Sequence, residues 1–394
     1  MPLASFSPFD LSWTTVWFWL TLLIGLVWLR RHGQLNWARR EPVLSAGDAA
    51  GEAVWPRLSV LVAGKDEEAN IEACLTGLLR QDYPDFEVIA VNDRSTDRTG
   101  AILDALAARE PRLKVLHVRE LPAGWAGKNH ALHRGVQRAD GRWLCFTDAD
   151  CRFHDTRLLA AAVRVAQRDG IDFLSVLPTL EAHTFWERVV QPPAGAIMVF
   201  WFPPQKVNDP RSARAYANGA FMLMRREAYE QLGGHAAVRT ALNEDMHFAR
   251  RAKQLGLRLR VIRSAGLYSV RMYVGLRQIW AGWSRIFYGC FGTWPRLTAS
   301  ALFLLVFSLS PLVTLLCSPW LGSSGVALAC AAGFTMLAQQ TVLWRFYRLS
   351  GMSGRWALTY PLGAGLCVAM LGNALTRAAG RQTRWRGTAY RGGA

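Results

Sequence analysis

The chain is short of acid: 29 Asp and Glu stand against 46 Lys and Arg over 394 residues, a formal net charge of +17. Such an excess can mark a nucleic-acid binder. Here the basic residues are spread over the polar part of the chain and the flanks of apolar runs, not interleaved with stacking aromatics, so no nucleic-acid partner is expected. Anionic lipid headgroups and phosphorylated substrates suit the balance better. The seven cysteines show no paired metal spacing, and Cys317, Cys330 and Cys367 fall in apolar stretches, which excludes a zinc module and leaves reduced, mostly buried thiols. There is no internal repeat and no low-complexity tract.

Charge is missing altogether from residues 11–29, a run long enough to cross a bilayer core that stops at Arg30 and Arg31. A secretory leader would have a basic start, a shorter apolar core and a small-residue cleavage site; this segment has none of these and reads as a retained anchor over residues 1–30. Three further apolar stretches, about 298–320, 325–344 and 356–376, predict C-terminal spans within 297–378. Arg30, Arg31, Arg39 and Arg40 follow the first span, so the positive-inside rule puts the polar part of the chain in the cytoplasm, with 31–55 as a linker. The basic C-terminal end, with Arg377 and, in the tail over 379–394, Arg381, Arg384, Arg386 and Arg391, conflicts with a four-span topology. Either one C-terminal stretch is re-entrant or interfacial, or the tail breaks the rule.

From residue 56 short apolar strands alternate with amphipathic helices. Strands are predicted at 58–62, 86–91, 114–118, 142–146 and 173–177, and helices at 68–80, 97–108, 128–138 and 156–168, with Ser95 and Thr96 available to cap the second. That rhythm predicts a mostly parallel, three-layer α/β sheet over 56–269. Residues 181–217 depart from it, mixing aromatics with Pro192, Pro193, Pro203 and Pro204; they are either an irregular buried insert or a surface touching the membrane. The segment 270–296 mixes Trp, Tyr and Phe with Arg, the composition of an interfacial helix.

Polar groups collect where the strands end. Asp148-Ala149-Asp150 follows the apolar run 143–146, which puts two carboxylates at the sheet edge where α/β proteins bind ligands. Mg²⁺ or Mn²⁺ would choose such oxygens and complete its shell with substrate phosphates, although an Asp-x-Asp taken alone is as readily a solvated turn. Lys65, Asp66 and Glu67 follow the first strand, and Asp93 ends the second; Asp97 reads as a helix-cap or first-turn acid. Gly124-Trp125-Ala126-Gly127-Lys128 offers a turn, a cation and a helix start, a cradle for phosphate or simply a surface lysine. Asn218-Gly219 precedes another apolar strand. Glu244-Asp245 opens the helix 246–255, as N-terminal helix decoration or as a general base facing Asp148 and Asp150.

The ordered set 56–62, Asp66-Glu67-Glu68-Ala69-Asn70-Ile71, Gln81-Asp82-Tyr83-Pro84, the run 91–99, Gly127-Lys128, Asp148-Ala149-Asp150, Asn218-Gly219 and Glu244-Asp245 resembles family 2 glycosyltransferases over residues 56–260. The anchored layout and Gly124-Trp125-Ala126-Gly127-Lys128 look like members that glycosylate lipids: ceramide, carotenoid (hydroxychlorobactene) and hopene-associated glycosyltransferases. The resemblance implies a Rossmann-like GT-A fold, a nucleotide-sugar donor such as a UDP-linked hexose, Mg²⁺ or Mn²⁺, and inversion on transfer to a membrane-lipid hydroxyl. It implies donor contacts at Lys65, Glu67, Asp93, Lys128, Asp148, Asn218 and Gly219. The metal would sit at Asp150 and Asp148, and catalysis at Asp245 with Glu244.

Two departures stand out. The usual Pro-Ala-Arg-Asn-Glu opening is Ala63-Gly64-Lys65-Asp66-Glu67 here, and the Gln-x-x-Arg-Trp signature is replaced by a stretch in which Gln278, Trp283 and Arg285 are spaced differently. The second departure argues against a processive polysaccharide synthase and leaves those three as candidate acceptor residues. The rival readings are a polyprenyl-phosphate sugar transferase, which would not need Asp245 as base, and a non-catalytic nucleotide-sugar-binding membrane protein. The expected location is the inner or cell membrane, multi-pass, with the catalytic domain cytoplasmic.

Overall fold

A computed structural model describes residues 12–51, 54–291, 293–378, 383–385 and 388–390. Arg381, Arg386 and Arg391 of the basic tail lie outside them. The chain forms two compact units. One comprises Pro42–Glu181 and Met198–Met272; the other comprises the N-terminal helix, Ala182–Ile197 and Tyr273–Ala379.

The first unit is built on strands β1 (Val43–Leu44), β2 (Leu58–Gly64), β3 (Phe86–Asp93), β4 (Leu113–Val118), β5 (Trp143–Asp148), β6 (Cys151–Phe153), β7 (Phe173–Leu177), β8 (Thr179–Leu180), β9 (Phe221–Arg225), β10 (Leu259–Ser264) and β11 (Tyr268–Val270). Eight of them form one sheet in the order β1-β10-β7-β9-β5-β2-β3-β4, and β6, β11 and β8 form a second, small sheet. Every pairing in the large sheet is parallel except those of β9, which runs antiparallel to β5 and to β7. The central strands are buried on both faces, as a sheet covered by helices requires. Leu58, Val60, Val62, Val88 and Ala90 face the helices Ile71–Leu79 and Leu158–Arg168. Leu61, Ile89 and Val91 face the helices Gly127–Val136 and Glu244–Gln254. This is the three-layer architecture that the alternating pattern predicts.

Three local outcomes depart from the sequence reading. The stretch after Arg31 is not all linker: the first helix runs Trp13–Ala38, and Val43–Leu44 adds a parallel edge strand beside β10. The cap of the helix Thr99–Ala107 is neither Ser95 nor Thr96. Arg98 stands at the N-cap with no side-chain cap bond, and Asp97, read as an acid of this helix start, accepts the Thr99 amide at 3.0 Å, while Ser95 Oγ accepts the amide of Asp66 at 3.0 Å. The proline-rich stretch is not irregular either, since Phe185–Trp201 is helical with Pro192 and Pro193 inside it.

In the second unit, among the described residues, four helices are long and apolar enough to cross a membrane: Trp13–Asn36, Trp294–Trp320, Gly322–Leu349 and Gly354–Thr376. They are joined by the polar contacts that hold apolar helices together where burial of apolar surface gives no advantage. Trp17 Nε1 donates to Thr314 Oγ1 at 2.9 Å, Trp28 Nε1 to the Phe307 carbonyl at 2.7 Å, and Thr335 Oγ1 to the Thr21 carbonyl at 2.7 Å. Gly25 makes the last contact possible, because a Cβ there would lie 2.8 Å from Thr335 Oγ1. The segment 270–296 contributes the helix Leu276–Phe291, whose Ser284 Oγ accepts from Asn373 at 3.1 Å.

Candidate functional site

Because β2, β3, β5 and β7 are parallel, their carboxyl ends share one edge. The reversed β9 begins at that same edge, with Phe221 opposite Thr147, and so delivers Asn218 and Gly219 beside Asp148. Asn218 is fixed there by Ser175 in the middle of β7: its amide donates to Ser175 Oγ at 2.9 Å, and its carbonyl accepts from the same hydroxyl at 3.2 Å.

Lys128 is the hub. Its ammonium lies 2.6 Å from Asp148 Oδ1 and 2.6 Å from Glu244 Oε1, so it joins the carboxylate that ends β5 to the acid that opens the helix Glu244–Gln254. Burial works against that charge, but the two carboxylates overcome it and raise the ammonium's pKa. Gly219 leaves room for this approach: a Cβ there would sit 3.2 Å from Lys128 Nζ, a tight contact, and 3.5 Å from Glu244 Oε1.

Asp245 stands next to the hub and faces the opposite electrostatic outcome. Burial and the neighbouring Glu244 push its pKa up to about 7, against the Lys128 charge and the amides of Met246 and Gly219, which donate to it at 2.7 and 3.0 Å. A carboxylate that titrates near neutrality is suited to taking and giving a proton.

On the other side of the hub, Asp93 is held by Arg94 through Nε at 2.7 Å and Nη2 at 2.9 Å. Arg94 adopts φ 55° to make this fork, and Asp66, on the neighbouring loop, adopts φ 54°. A Cβ on Gly127 would be 2.6 Å from Asp93 Oδ2 and 2.7 Å from Arg94 Nη2, so the helix that carries Lys128 begins in contact with this pair. Lys65 Nζ donates to Asp66 Oδ2 at 3.0 Å and to the Arg94 carbonyl at 3.1 Å. Glu67 is buried, its amide bound to Thr99 Oγ1 at 2.8 Å and its carboxylate to Asn70 at 3.0 Å. The structure therefore places Lys65, Glu67, Asp93, Lys128, Asp148, Asp150, Asn218, Gly219, Glu244 and Asp245 along one sheet edge.

Gln278, Trp283 and Arg285 belong to the other unit. Gln278 Oε1 accepts the Val274 amide at 3.0 Å, and the buried Trp283 leaves its indole N–H without a hydrogen-bond partner among the described residues. The sequence reading missed Asn129. Its side-chain amide donates to the carbonyls of Val238 at 2.6 Å and Ala241 at 2.9 Å, and the Ala126 amide donates to Arg239 O at 2.6 Å. These bonds strap the loop that leads to Glu244 onto the start of the Lys128 helix. The one signal was a polar residue inside a helix pattern, where Asn competes poorly unless its side chain has backbone to bind.

No group of three or more His, Cys, Asp and Glu among the described residues makes a metal cage. Asp148 and Asp150 provide an all-oxygen pair, which fits a hard divalent ion that takes its remaining ligands from phosphate.

Residues 59–233 match the family described as Glycosyl transferase family 2. The chain carries a family 2 glycosyltransferase domain. Among curated relatives it is 34% identical over 199 residues to a beta-monoglucosyldiacylglycerol synthase of Synechocystis sp., covering 49% of this chain and 40% of the relative. It is 31% identical over 183 residues to the enzyme of the same name from Nostoc sp., covering 45% of this chain and 38% of that one. The chain thus spans about two fifths of the length of these relatives. Among solved structures, a mannosyltransferase from Pyrobaculum calidifontis, in complex with GDP-Man and Mn²⁺, superposes with a TM-score of 0.56 at 20% identity. The match covers 93% of this chain and 98% of that one. The glycosyltransferase domain thus has the GT-A fold expected from its motifs.

Proposed function

We propose that this protein transfers a hexose, with inversion, from a nucleotide-sugar donor to a hydroxyl of a membrane lipid. The observation that carries the reading is the convergence on Lys128: one ammonium joins Asp148 at the end of β5 to an acid pair whose second member, Asp245, titrates near neutrality. A single-displacement transfer needs this pairing of charge control at the leaving group with a base at the acceptor.

The base–donor contacts fall to Asp93, held in place by Arg94, and the sugar and diphosphate lie along Asp148, Lys128 and Gly219. A divalent ion at Asp148 and Asp150 would supply positive charge to the departing nucleoside diphosphate. Lys128 adds a second positive charge at the same place. Asp245 Oδ takes the acceptor hydroxyl's proton as that oxygen attacks the anomeric carbon from the face opposite the leaving group. The donor's glycosidic C–O bond breaks as the new one forms, and the electron pair leaves with the diphosphate.

Relatives named for glucosylating diacylglycerol support UDP-glucose and a neutral glycerolipid as the first donor and acceptor to try. The four apolar helices support an acceptor held in the membrane, and the arginines flanking the first helix support a cytoplasmic site. The test is incubation of the full chain in lipid nanodiscs with Mn²⁺, radiolabelled nucleotide sugars and diacylglycerol. Label entering the organic phase, and lost in Asp150→Ala and Asp245→Asn, is the expected result; label found only in water-soluble or polymeric product would overturn the lipid acceptor.

A further inference from the structure

Asn92 and His117 are register partners on the parallel strands β3 and β4, on the side of the sheet covered by the helix Thr99–Ala107. Three hydrogen bonds run through them in a row. The Ser95 amide donates to Asn92 Oδ1 at 3.4 Å, Asn92 Nδ2 meets His117 Nδ1 at 3.0 Å, and His117 Nε2 meets Asp104 Oδ1 at 2.9 Å. The chemistry of the partners assigns the protons. A carboxamide nitrogen only donates, so His117 Nδ1 accepts, and the ring proton sits on Nε2, which donates to the Asp104 carboxylate. Every bond then points the same way, from the turn at Ser95 to the acid, an arrangement in which successive bonds polarise and strengthen one another. Gly100 leaves the space for it: a Cβ there would lie 2.9 Å from Asn92 Nδ2 and 3.7 Å from His117 Cε1. Asn92 is buried, whereas the side chains of His117 and Asp104 are exposed, so the row joins a surface acid to a buried amide.

What the row holds is the turn that presents Asp93. Successive strand residues face opposite sides of a sheet, so Asn92 meets the helix Thr99–Ala107 while Asp93 meets Gly127 at the start of the Lys128 helix. Arg94 follows at φ 55°, a conformation that few residues with a side chain adopt. The bond from Ser95 to Asn92 closes the turn over Arg94, and the Arg94 amide donates to the Val118 carbonyl at 3.0 Å. With the closure lost, Arg94 relaxes towards an ordinary φ and its fork on Asp93 opens.

We propose that Asp104 and His117 are positioning residues for the donor nucleotide, acting through Asn92 on the turn that aims Asp93. The proposal rests on the reading above in which Asp93 contacts the nucleobase, and deepens it. Both residues lie across the sheet from the Gly127 side of Asp93, so losing either one weakens nucleotide binding and leaves the transfer step as it was. A clip that merely ties β3 and β4 to the helix would change stability alone.

His117→Phe keeps a ring and removes both nitrogens, and Asp104→Ala removes the acceptor at the exposed end. Wild type, the two single variants and the double variant, each as the full chain in nanodiscs with Mn²⁺, are titrated with UDP, GDP, ADP, CDP and dTDP by calorimetry. Their Tm is read without nucleotide, and kcat with UDP-glucose and diacylglycerol. The expected result is a Kd for the bound nucleotide raised about five- to tenfold in His117→Phe, a smaller rise in Asp104→Ala, no further rise in the double variant over His117→Phe, and an unchanged kcat at saturating donor. An unchanged Kd in both single variants would overturn the proposal, and a lowered Tm beside it would leave the structural clip. Losses that add in the double variant would overturn it too, because a row acts as one unit. So would a lowered kcat, which would mean damage beyond the turn. Wild type that binds nucleotide but labels no lipid would remove the lipid-acceptor reading and leave this proposal to stand on the Kd values. If wild type binds none of these nucleotides, the donor reading and this proposal fall together.

Discussion

Two carboxylates adjacent in sequence, Glu244 and Asp245, have different fates because Lys128 reaches only one of them closely. Glu244 forms the ion pair, and Asp245 is left buried beside a like charge with a pKa of about 7. In the proposed role of base it must be ionised, so kcat/KM of the wild type should climb with pH through about 7. Asp245→Asn should keep donor affinity and lower kcat by ~10²–10⁴-fold; pH profiles and donor titrations of both proteins check this. Linkage acts on stability in the same window. A carboxyl whose folded pKa lies above its unfolded value favours the fold when protonated, so its contribution fades as pH rises from about 4 to 7, and the Asn variant should lack that fade. Gly127 offers a steric test. An added methyl would press on both Asp93 and Arg94, and overpacking typically costs ~1–3 kcal/mol. Gly127→Ala should therefore raise the donor KM about tenfold or more with little change in acceptor KM, measured by initial rates.

At the scale of elements, the sheet is fastened at the edge away from the site by a buried acid. Glu87 on β3 accepts from Ser59 Oγ of β2 at 2.6 Å and from the Asp140 amide at 2.8 Å, and it pairs with Lys114 of β4 at 2.6 Å. Burial raises its pKa, but these donors outweigh that and lower it. Its stabilisation is therefore present above the ordinary glutamate pKa and is lost as pH falls through the depressed one. Glu87→Gln should cost about 1–2 kcal/mol at neutral pH and flatten the acid side of a Tm-versus-pH curve measured on the full chain in detergent. Strands β2, β3, β4, β5 and β7 and the helices between them were readable in the sequence because short apolar runs alternate there with amphipathic stretches of period about 3.6. The reversal of β9 was not, because direction leaves no mark in an apolar run such as Phe221–Arg225. The helix Phe185–Trp201 was hidden by Pro192 and Pro193, which local rules read as a break and which packing within the second unit tolerates.

At the scale of the whole molecule, the four apolar helices were legible as uncharged runs, while the carboxylates of the site were legible only as an ordered series of motifs. Their meeting at Lys128 depends on how the strands are ordered, which no local stretch encodes. No disulfide joins any of the seven cysteines, and Cys74, Cys145, Cys151, Cys290 and Cys367 are buried, whereas Cys330 is exposed on the helix Gly322–Leu349. If that surface faces lipid, the native protein in nanodiscs should react at Cys330 with an apolar maleimide and not with a charged one. Mass spectrometry of labelled peptides checks this, and labelling by the charged reagent would remove that helix from the membrane.

The strap from Asn129 and Ala126 to residues 238–241 makes the proposed leaving-group side and the proposed proton-accepting side of the site a single casting instead of two jaws. Damage anywhere along it should detune both partial reactions together. A variant evolved for a new sugar would then have to keep this join intact and find its freedom elsewhere along the sheet edge.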